Sequence, residues 1–563
     1  MFKIIHTTAS IAALSALGLG ACLAAPVQSQ ASEQSTQQSV EAIIAPWVSE
    51  DAPGVAVAIS LKDEVVFAQG AGMANLEHSI PIAADSVFQV ASVSKQFTAF
   101  AVLLLASDGA IDLDEDMRVY VPEMPVTESV ITVRHLLDHA SGLRERNTLA
   151  AMAGWMDDDI RTEAQSRMLV RRQTGLNFEP GTEIEYSNTG YALLSEIVER
   201  VSGQSFSAFT EERMFEPLGM AQTRFRGVRD DLIPNRAASY YPSTDGFKNV
   251  VAVSETTGST GLYTTALDLL KWAENFETQV VGDRFVFEAM AERYEAANGD
   301  DSTFAKGQEL RFYNGVETWS HGGTGAGFRS FLLRAPDEDL EIAVLSNRTD
   351  FDKAAFAFSI ADAYLPAPKI DAEQDWSPAT PDELAAYAGD YEIYPGVIFS
   401  IRAEADGLTF ASFGAPRDDL QPLPQIGPRE FLLNAEPERA LVFDGPTQGA
   451  SAKLGYRIGL DGTLNARRIA LTPFDAESVD PSGYVGRCES DELAARYDLS
   501  LVDGVLTAQH ARLPAFALTP YQENTFAGQG PLQRLVFKSD AEGELLGFYA
   551  SAPLAEDIWF SCR

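Results

Sequence analysis

Cysteine is scarce in this chain: three in 563 residues, too few for a small scaffold held together by many disulfides. Basic residues are also short, with 42 Lys and Arg against 81 Asp and Glu, a formal net charge of −39. That balance excludes a nucleic-acid binder, whose affinity rests on pairing Lys and Arg with phosphates. It would also be repelled by an anionic lipid surface. No segment approaches the about 20 consecutive apolar residues that span a bilayer, which excludes a polytopic membrane protein. Gly-x-Ser-x-Gly, His-Glu-x-x-His, a Walker loop and a zinc-spaced cysteine pair are all missing, and no metal or cofactor is expected. What is present is ordinary globular material, 45% hydrophobic and 22% charged, which rules out a disordered chain. Length alone allows about three or four domains.

Residues 1–31 read as an export signal: Lys3 supplies a short basic start, and residues from about Ala9 to Leu19 supply a short apolar segment. Two processing routes fit. Leu19-Gly20-Ala21-Cys22 resembles a bacterial lipobox, in which Cys22 would be lipidated and become the mature N-terminus. Small residues at Ala25 or Ala31 would instead suit ordinary signal-peptidase cleavage. Cysteine arithmetic leans to the first, because Cys488 and Cys562 can pair in an oxidising compartment and leave Cys22 over. Such a disulfide would tie the start of the last domain to its end. The expected location is periplasmic, with Cys22 as a lipid anchor to the outer membrane. The Ser/Gln-rich stretch 28–39 reads as a flexible tether, with residues 32–39 separating signal from domain.

From residue 40 to 366 strand-like and helix-like segments alternate. Val55–Ser60 and Val65–Ala68 read as a hairpin, Phe97–Leu105 and Thr189–Val201 as helices, and Ser330–Arg334 and Glu341–Leu345 as paired strands. The pattern predicts an α+β domain of helices packed on an antiparallel sheet. Residues 367–381, rich in Pro, Ala and acids, read as a linker. Beyond it the chain repeats. Tyr387-Ala388-Gly389 aligns with Tyr484-Val485-Gly486, and Asp406-Gly407-Leu408 with Asp503-Gly504-Val505, both at an offset of 97. Leu441-Val442-Phe443 aligns with Leu535-Val536-Phe537 at an offset of 94. Two small antiparallel β-barrels are expected, over 382–478 and 479–563.

The informative local motif is Ser92-Val93-Ser94-Lys95. A serine and a lysine three apart sit one helical turn from each other. A hydroxyl is a weak nucleophile without an adjacent base, and a lysine can be that base if its pKa is lowered. A serine at a helix N-terminus also stands beside backbone N–H groups that could hold an oxyanion. Taken alone the motif is very common and reads first as a helix cap followed by a surface lysine.

Its company changes that reading. Phe88 to Ala99 is followed by Ile131-Thr132-Val133-Arg134-His135-Leu136-Leu137-Asp138-His139-Ala140-Ser141-Gly142-Leu143. Then come Pro180-Gly181 leading into Tyr186-Ser187-Asn188, and finally His321-Gly322-Gly323-Thr324-Gly325. In this order the stretches resemble the serine hydrolases that include class C β-lactamases, low-molecular-mass penicillin-binding proteins, D-aminopeptidases and related esterases. The resemblance covers about residues 40–365 and implies a β-lactamase/transpeptidase-like fold. By position it implies Ser92 as the acylated nucleophile, Lys95 as its activator and Tyr186 as a proton shuttle. It implies Asn188 and the third motif, His321 and Gly323, at the substrate, with the N–H of Thr324 joining that of Ser92 in an oxyanion hole. A phenolate form of Tyr186 would need adjacent cations.

The third motif departs from the Lys-Thr-Gly of many β-lactamases and DD-peptidases. Gly322 has no hydroxyl and His321 is at most partly charged at neutral pH. Capture of a substrate carboxylate is thereby weakened. The whole-chain layout is closest to D-aminopeptidases. The resemblance therefore implies a serine hydrolase acting through an acyl-enzyme on amide bonds of D-amino-acid-containing peptides, and the N-terminal signal, a departure from that group, makes it an exported one. Its substrates would be small peptides, amides or esters; a carboxylesterase, DD-peptidase or β-lactamase would use the same residues. In D-aminopeptidases a loop of the last barrel reaches the active site, and the loop Tyr521–Phe526, with Glu523 as its acid, is the candidate here. His135 and His139 could be two ligands on one helix face, but no third ligand is evident. His78 and His510 read as ordinary surface or core residues. The oligomeric state is not legible.

Overall fold

The computed structural model describes residues 27–563, apart from 157, 254, 299–302, 367–376, 406, 413–419, 434–438, 444–453, 459–461 and 473. Cys22 and the export signal up to residue 26 lie outside the described residues, as does most of the expected linker.

A seven-stranded antiparallel sheet forms the centre of the first domain. Its order is Phe304–Ala305, Gln308–Tyr313, Val316–Gly325, Phe328–Ala335, Leu340–Ser346, Val55–Leu61, Glu64–Ala71. Both faces of its middle are covered, and the sequence shows why. In Val55–Leu61 the residues Val55, Val57 and Ile59 enter one apolar cluster, while Ala56 and Ala58 enter the other. Leu340–Ser346 repeats the pattern, with Leu340, Ile342 and Val344 on the first face and Ala343 and Leu345 on the second. A strand buried on both faces reads as continuous apolar sequence rather than as an alternation. Val57 pairs with Val344 and Ala58 with Ala343, so like faces like in size across the register.

The small-residue face receives the helices that carry the site. Ser94–Ser107 is buried from Ser94 to Leu105. It is anchored by Phe97, whose ring centroid lies 4.2 Å from that of Trp272, and by Phe100, 5.0 Å from the same ring. Each such aromatic contributes roughly 2–3 kcal/mol by burial, plus a smaller term from ring geometry. Trp272 keeps its N–H satisfied by donating to Gln96 Oε1 at 3.1 Å. The other face is closed by Lys353–Ala361 and by the end of the first described helix, Val27–Ile44, through Val40 and Ile44. The expected flexible tether over 28–39 is therefore helical. The stretch holds no Gly or Pro, Gln, Glu and Ala are good helix formers, and the docked end at Val40 and Ile44 supplies the tertiary anchor.

Beyond residue 380 the described residues form two successive units of eight strands each. The first, from Gly389–Tyr394 to Gly462–Ile469, is an open sheet; Gln425, just past its edge strand Gln421–Leu423, bridges to Phe431 of the other edge strand, Glu430–Leu432. The second, from Gly486–Ser490 to Ala555–Cys562, is a closed barrel whose first and last strands pair Cys488 with Cys562, and those two residues are disulfide-bonded. Tyr387 and Tyr484 stand just before the first strands of their units, and Leu441 and Leu535 lie in the sixth. No described helix is long and apolar enough to cross a membrane.

The closed barrel shares a core with the first domain: Leu149, Ala150, Met152 and Leu169 join Tyr497, Leu506, Phe526 and Ile558. The contact segment, residues 553–557, is the turn between the barrel's last two strands together with the first residues of the last strand. Glu145 N–H donates to Leu554 O at 2.7 Å, Thr148 Oγ1 to Pro553 O at 2.8 Å and Asn177 Nδ2 to Leu554 O at 2.9 Å.

Candidate active site

Ser92 sits in the 3₁₀ turn Ala91–Val93 that runs into the helix Ser94–Ser107. Ala91 holds φ 45°, a left-handed conformation costly for a residue with a Cβ. The strand Val316–Gly325 holds this turn from the side. A Cβ on Gly323 would lie 2.2 Å from Val90 O and 2.2 Å from Ser330 Oγ, so only glycine lets the strand come this close. Ser330 Oγ in turn donates to Val90 O at 2.7 Å. Thr324, one residue on, is exposed on the same strand. The structure thus brings Gly323 and Thr324 to the nucleophile's turn.

Lys95 is fully buried beneath Ser92. Its Nζ lies 2.7 Å from Asn188 Oδ1, 3.0 Å from Ser259 O and 3.4 Å from Ser92 Oγ. Burial, more than any neighbour, pushes its pKa well below the usual lysine range; Glu145 opposes that shift and Arg146 adds to it. A neutral amine has two N–H donors and one lone pair. Here there are two obligate acceptors and one hydroxyl; the hydroxyl can accept a third N–H or, once the amine is neutral, donate to its lone pair, so the arrangement suits a lysine that takes up and returns a proton. The chemistry available is general-base activation of a serine.

Tyr186 hydrogen-bonds to Ser92 and lies with its ring centroid 4.6 Å from Lys95 Nζ. Burial raises its phenol above the ordinary range, with Glu145 and Glu309 raising it further. A cation-supported phenolate is therefore not what these surroundings favour: burial lowers the adjacent lysine too, and the other nearby charges named for Tyr186 are carboxylates. Tyr186 stays a neutral phenol, a donor rather than a base.

His321 lies on the strand beside the site and is buried. Its Nδ1 is 2.7 Å from Gly322 O, which assigns the proton to Nδ1 and a lone pair to Nε2. Burial first, and Lys95 second, lower its pKa to about 3. The expected partial cation is thus a neutral imidazole. Gly322 points the other way: a Cβ there would lie 2.7 Å from Lys353 Cε. His135 and His139 do not share a ligand site. His135 Nδ1 accepts the Thr132 N–H at 3.2 Å as part of a capping box. His139 Nδ1 accepts the Ser187 N–H at 3.0 Å, and its ring centroid lies 4.6 Å from that of Tyr186. No group of three or more metal-ligating side chains occurs among the described residues.

Several contributors carried no sequence motif. Ser259 supplies the second acceptor for Lys95. Asp138 and Lys306 form a buried pair, and the Lys306–Gly307 turn lies against the Lys95 backbone; a Cβ on Gly307, at φ 81°, would be 2.7 Å from Lys95 C. Glu145 binds the backbone and the side chain of Asn188. The one available hint for Glu145 was its place two residues after the Ser141-Gly142-Leu143 stretch. The loop Tyr521–Phe526 is elsewhere: Asn524 Oδ1 accepts from Tyr484 Oη at 2.8 Å and Gln522 Nε2 donates to Ala470 O at 3.2 Å. Its turn serves the junction with the preceding strand unit, so Glu523 is not the acid of the site. Arg534 braces the same junction, reaching Glu392 and Glu556 at 2.7 Å each.

Comparison with known proteins agrees with this geometry. The Beta-lactamase family profile matches residues 34–365. A D-aminopeptidase of Gluconobacter oxydans is 28% identical over 314 residues, covering 55% of this chain and 59% of the relative, so the aligned part spans somewhat over half of that relative's length. A D-aminopeptidase of Brucella anthropi is 24% identical over 530 residues, covering 90% of this chain and 94% of the relative. Among solved structures, the octameric penicillin-binding protein homologue from Pyrococcus abyssi superposes with a TM-score of 0.53 at 21% identity, over 77% of this chain and 99% of that one.

Proposed function

Since the chain belongs to the Beta-lactamase family and is a serine hydrolase, we propose that it cleaves amide bonds of D-amino-acid-containing peptides from a free amino end. The observation that carries the chemistry is Lys95, buried between Asn188 Oδ1 and Ser259 O with Ser92 Oγ as its third neighbour. Ser92 Oγ attacks the carbonyl carbon and its proton passes to Lys95. The oxyanion is held by the N–H groups of Ser92 and Thr324. Tyr186 gives its proton to the leaving nitrogen and recovers one from Lys95. The C–N bond breaks and an acyl-Ser92 remains. A water then attacks, its proton returns to Ser92, and the D-amino acid leaves.

Two features support this substrate class. The relatives named D-aminopeptidase include one that aligns over 90% of this chain, barrel included. His321 is neutral and Gly322 has no hydroxyl, so the motif lacks the cation and hydroxyl that would hold a substrate carboxylate. Release of p-nitroaniline from the D-alanine anilide, lost in Ser92→Ala, is the expected result. No release, or equal release by the variant, would overturn it. The neutral third motif is equally compatible with short esters. Turnover of p-nitrophenyl esters with no amide cleavage would favour a carboxylesterase.

Export to the periplasm, with lipidation of Cys22, is part of the same proposal. The Cys488–Cys562 bond supports it, because such bonds persist in oxidising compartments. Mass spectrometry of the mature N-terminus distinguishes a lipidated Cys22 from a start after Ala25 or Ala31.

A further inference from the structure

Glu145 is buried, and its carboxylate receives five N–H bonds. Oε2 accepts from Asn188 N at 2.8 Å and Thr189 N at 3.3 Å, the first N–H groups of the helix Asn188–Ser202. Oε1 accepts from Asn147 N at 3.3 Å and Asn147 Nδ2 at 3.0 Å, at the start of the helix Arg146–Met152. Oε1 also accepts from Asn188 Nδ2 at 3.3 Å. One acceptor-only group therefore caps two helices and grips one end of the Asn188 amide. With Nδ2 held, Oδ1 has to face the other way, and there it accepts from Lys95 Nζ at 2.7 Å.

The Glu145 backbone is placed by the last barrel. Its N–H donates to Leu554 O at 2.7 Å. Arg144 reaches Glu492 Oε2 at 2.7 Å and Asp557 O at 3.0 Å, and Thr148 reaches Pro553 O. The segment 144–148 is thus fastened on both sides of Glu145 to the barrel.

We propose that Glu145 is a positioning residue, seated by the 553–557 turn of the last barrel, that fixes the Asn188 amide with its oxygen on Lys95 and so keeps the Lys95 lone pair on Ser92. This rests on the hydrolase reading of Ser92 and Lys95, but on no particular substrate. The groups facing Lys95 are Glu145, Arg146, Tyr186, Tyr191, His139 and His321; of these Glu145 is the anion and Arg146 the cation. Removing the Glu145 charge takes away the one nearby charge that supports the protonated lysine. Lys95 then loses its proton at lower pH, and the acid limb of any Lys95-dependent rate moves down.

The test is the rate of Ser92 labelling by a fluorophosphonate across pH. In Glu145→Gln an N–H group must face other N–H groups. Labelling at the plateau is expected to fall about 10- to 100-fold, with its acid limb at lower pH than in wild type. Labelling at the wild-type rate, or slower labelling with an unmoved limb, would overturn the proposal. Glu145→Asp keeps the charge and shortens the reach. It is expected to slow labelling with the limb in place, and a wild-type rate there would also overturn it. Failure of D-amide turnover in wild type leaves this test intact, because the probe needs no substrate recognition. Failure of wild type to label would overturn the hydrolase reading and this proposal with it.

Discussion

Lys306 Nζ donates to Asp138 Oδ1 at 2.6 Å, with the two side chains 1% and 0% exposed. Lys306 Nζ also donates to Glu292 O at 3.2 Å, while Asp138 Oδ2 has no hydrogen-bond partner among the described residues. Burial raises the Asp138 carboxyl, and Lys306 opposes that without reversing it. The pair therefore does little for stability as a unit, yet each member needs the other.

Lys306→Met is accordingly expected to destabilise the first domain by about 3–5 kcal/mol, because it leaves a buried carboxylate alone. Adding Asp138→Leu should recover part of that loss. A double-mutant cycle by urea unfolding checks it, and additive losses would mean that the two are not coupled.

Lys95→Arg installs a guanidinium that cannot give up its proton at working pH. Activity should fall by about a thousandfold or more, as it does when a residue of a catalytic unit is lost. Comparable rates in steady-state assays would mean that Lys95 is not the base.

Histidine protonation should leave no mark on activity near neutrality. His321 is lowered to about 3 and His139 well below its ordinary range, each first by burial, so both are neutral throughout the working range. His321→Asn should keep the acid limb of kcat/KM where wild type has it. His321→Lys, which places a cation beside Lys95, should shift the limb to lower pH. A limb that disappears in His321→Asn would assign it to the histidine.

Gly323→Ala forces a Cβ to within 2.2 Å of Val90 O, and the strand must retreat from the nucleophile's turn. A displacement of about 1 Å can cost about 100-fold in rate. Loss of that order in kcat, with the melting temperature lowered by a few degrees, is expected. An unaffected kcat would separate the strand from the oxyanion site.

Reduction of Cys488–Cys562, 74 residues apart in sequence, should cost the closed barrel about 4 kcal/mol by the chain-entropy argument. Because the 553–557 turn seats Glu145, activity should decline along with barrel unfolding. Full activity with the barrel melted would show that the first domain works without it.

How much of this was legible in the sequence follows from what each feature depends on. Ser92 and Lys95 are three apart, and a local helix suffices to bring them together. The repeat was legible because its landmarks stand at equivalent strands. Glu145 lies 43 residues before Asn188, and an isolated acid in a loop looks like any other in so acidic a chain. Glu523 misled for the converse reason: a turn of polar residues advertises itself whether it meets the active site or a neighbouring strand unit. The histidine of the third motif was visible, but its neutrality depends on burial against Lys95, which no motif encodes.

The central claim is tested most directly by trapping the acyl-enzyme. The mature protein is mixed with a D-alanine ester or anilide, quenched in acid and digested, and the peptide carrying Ser92 is weighed. The account expects a D-alanyl adduct on Ser92 that is absent in Ser92→Ala and accumulates when deacylation is slow. An adduct on another residue, or turnover that persists in Ser92→Ala, would contradict it.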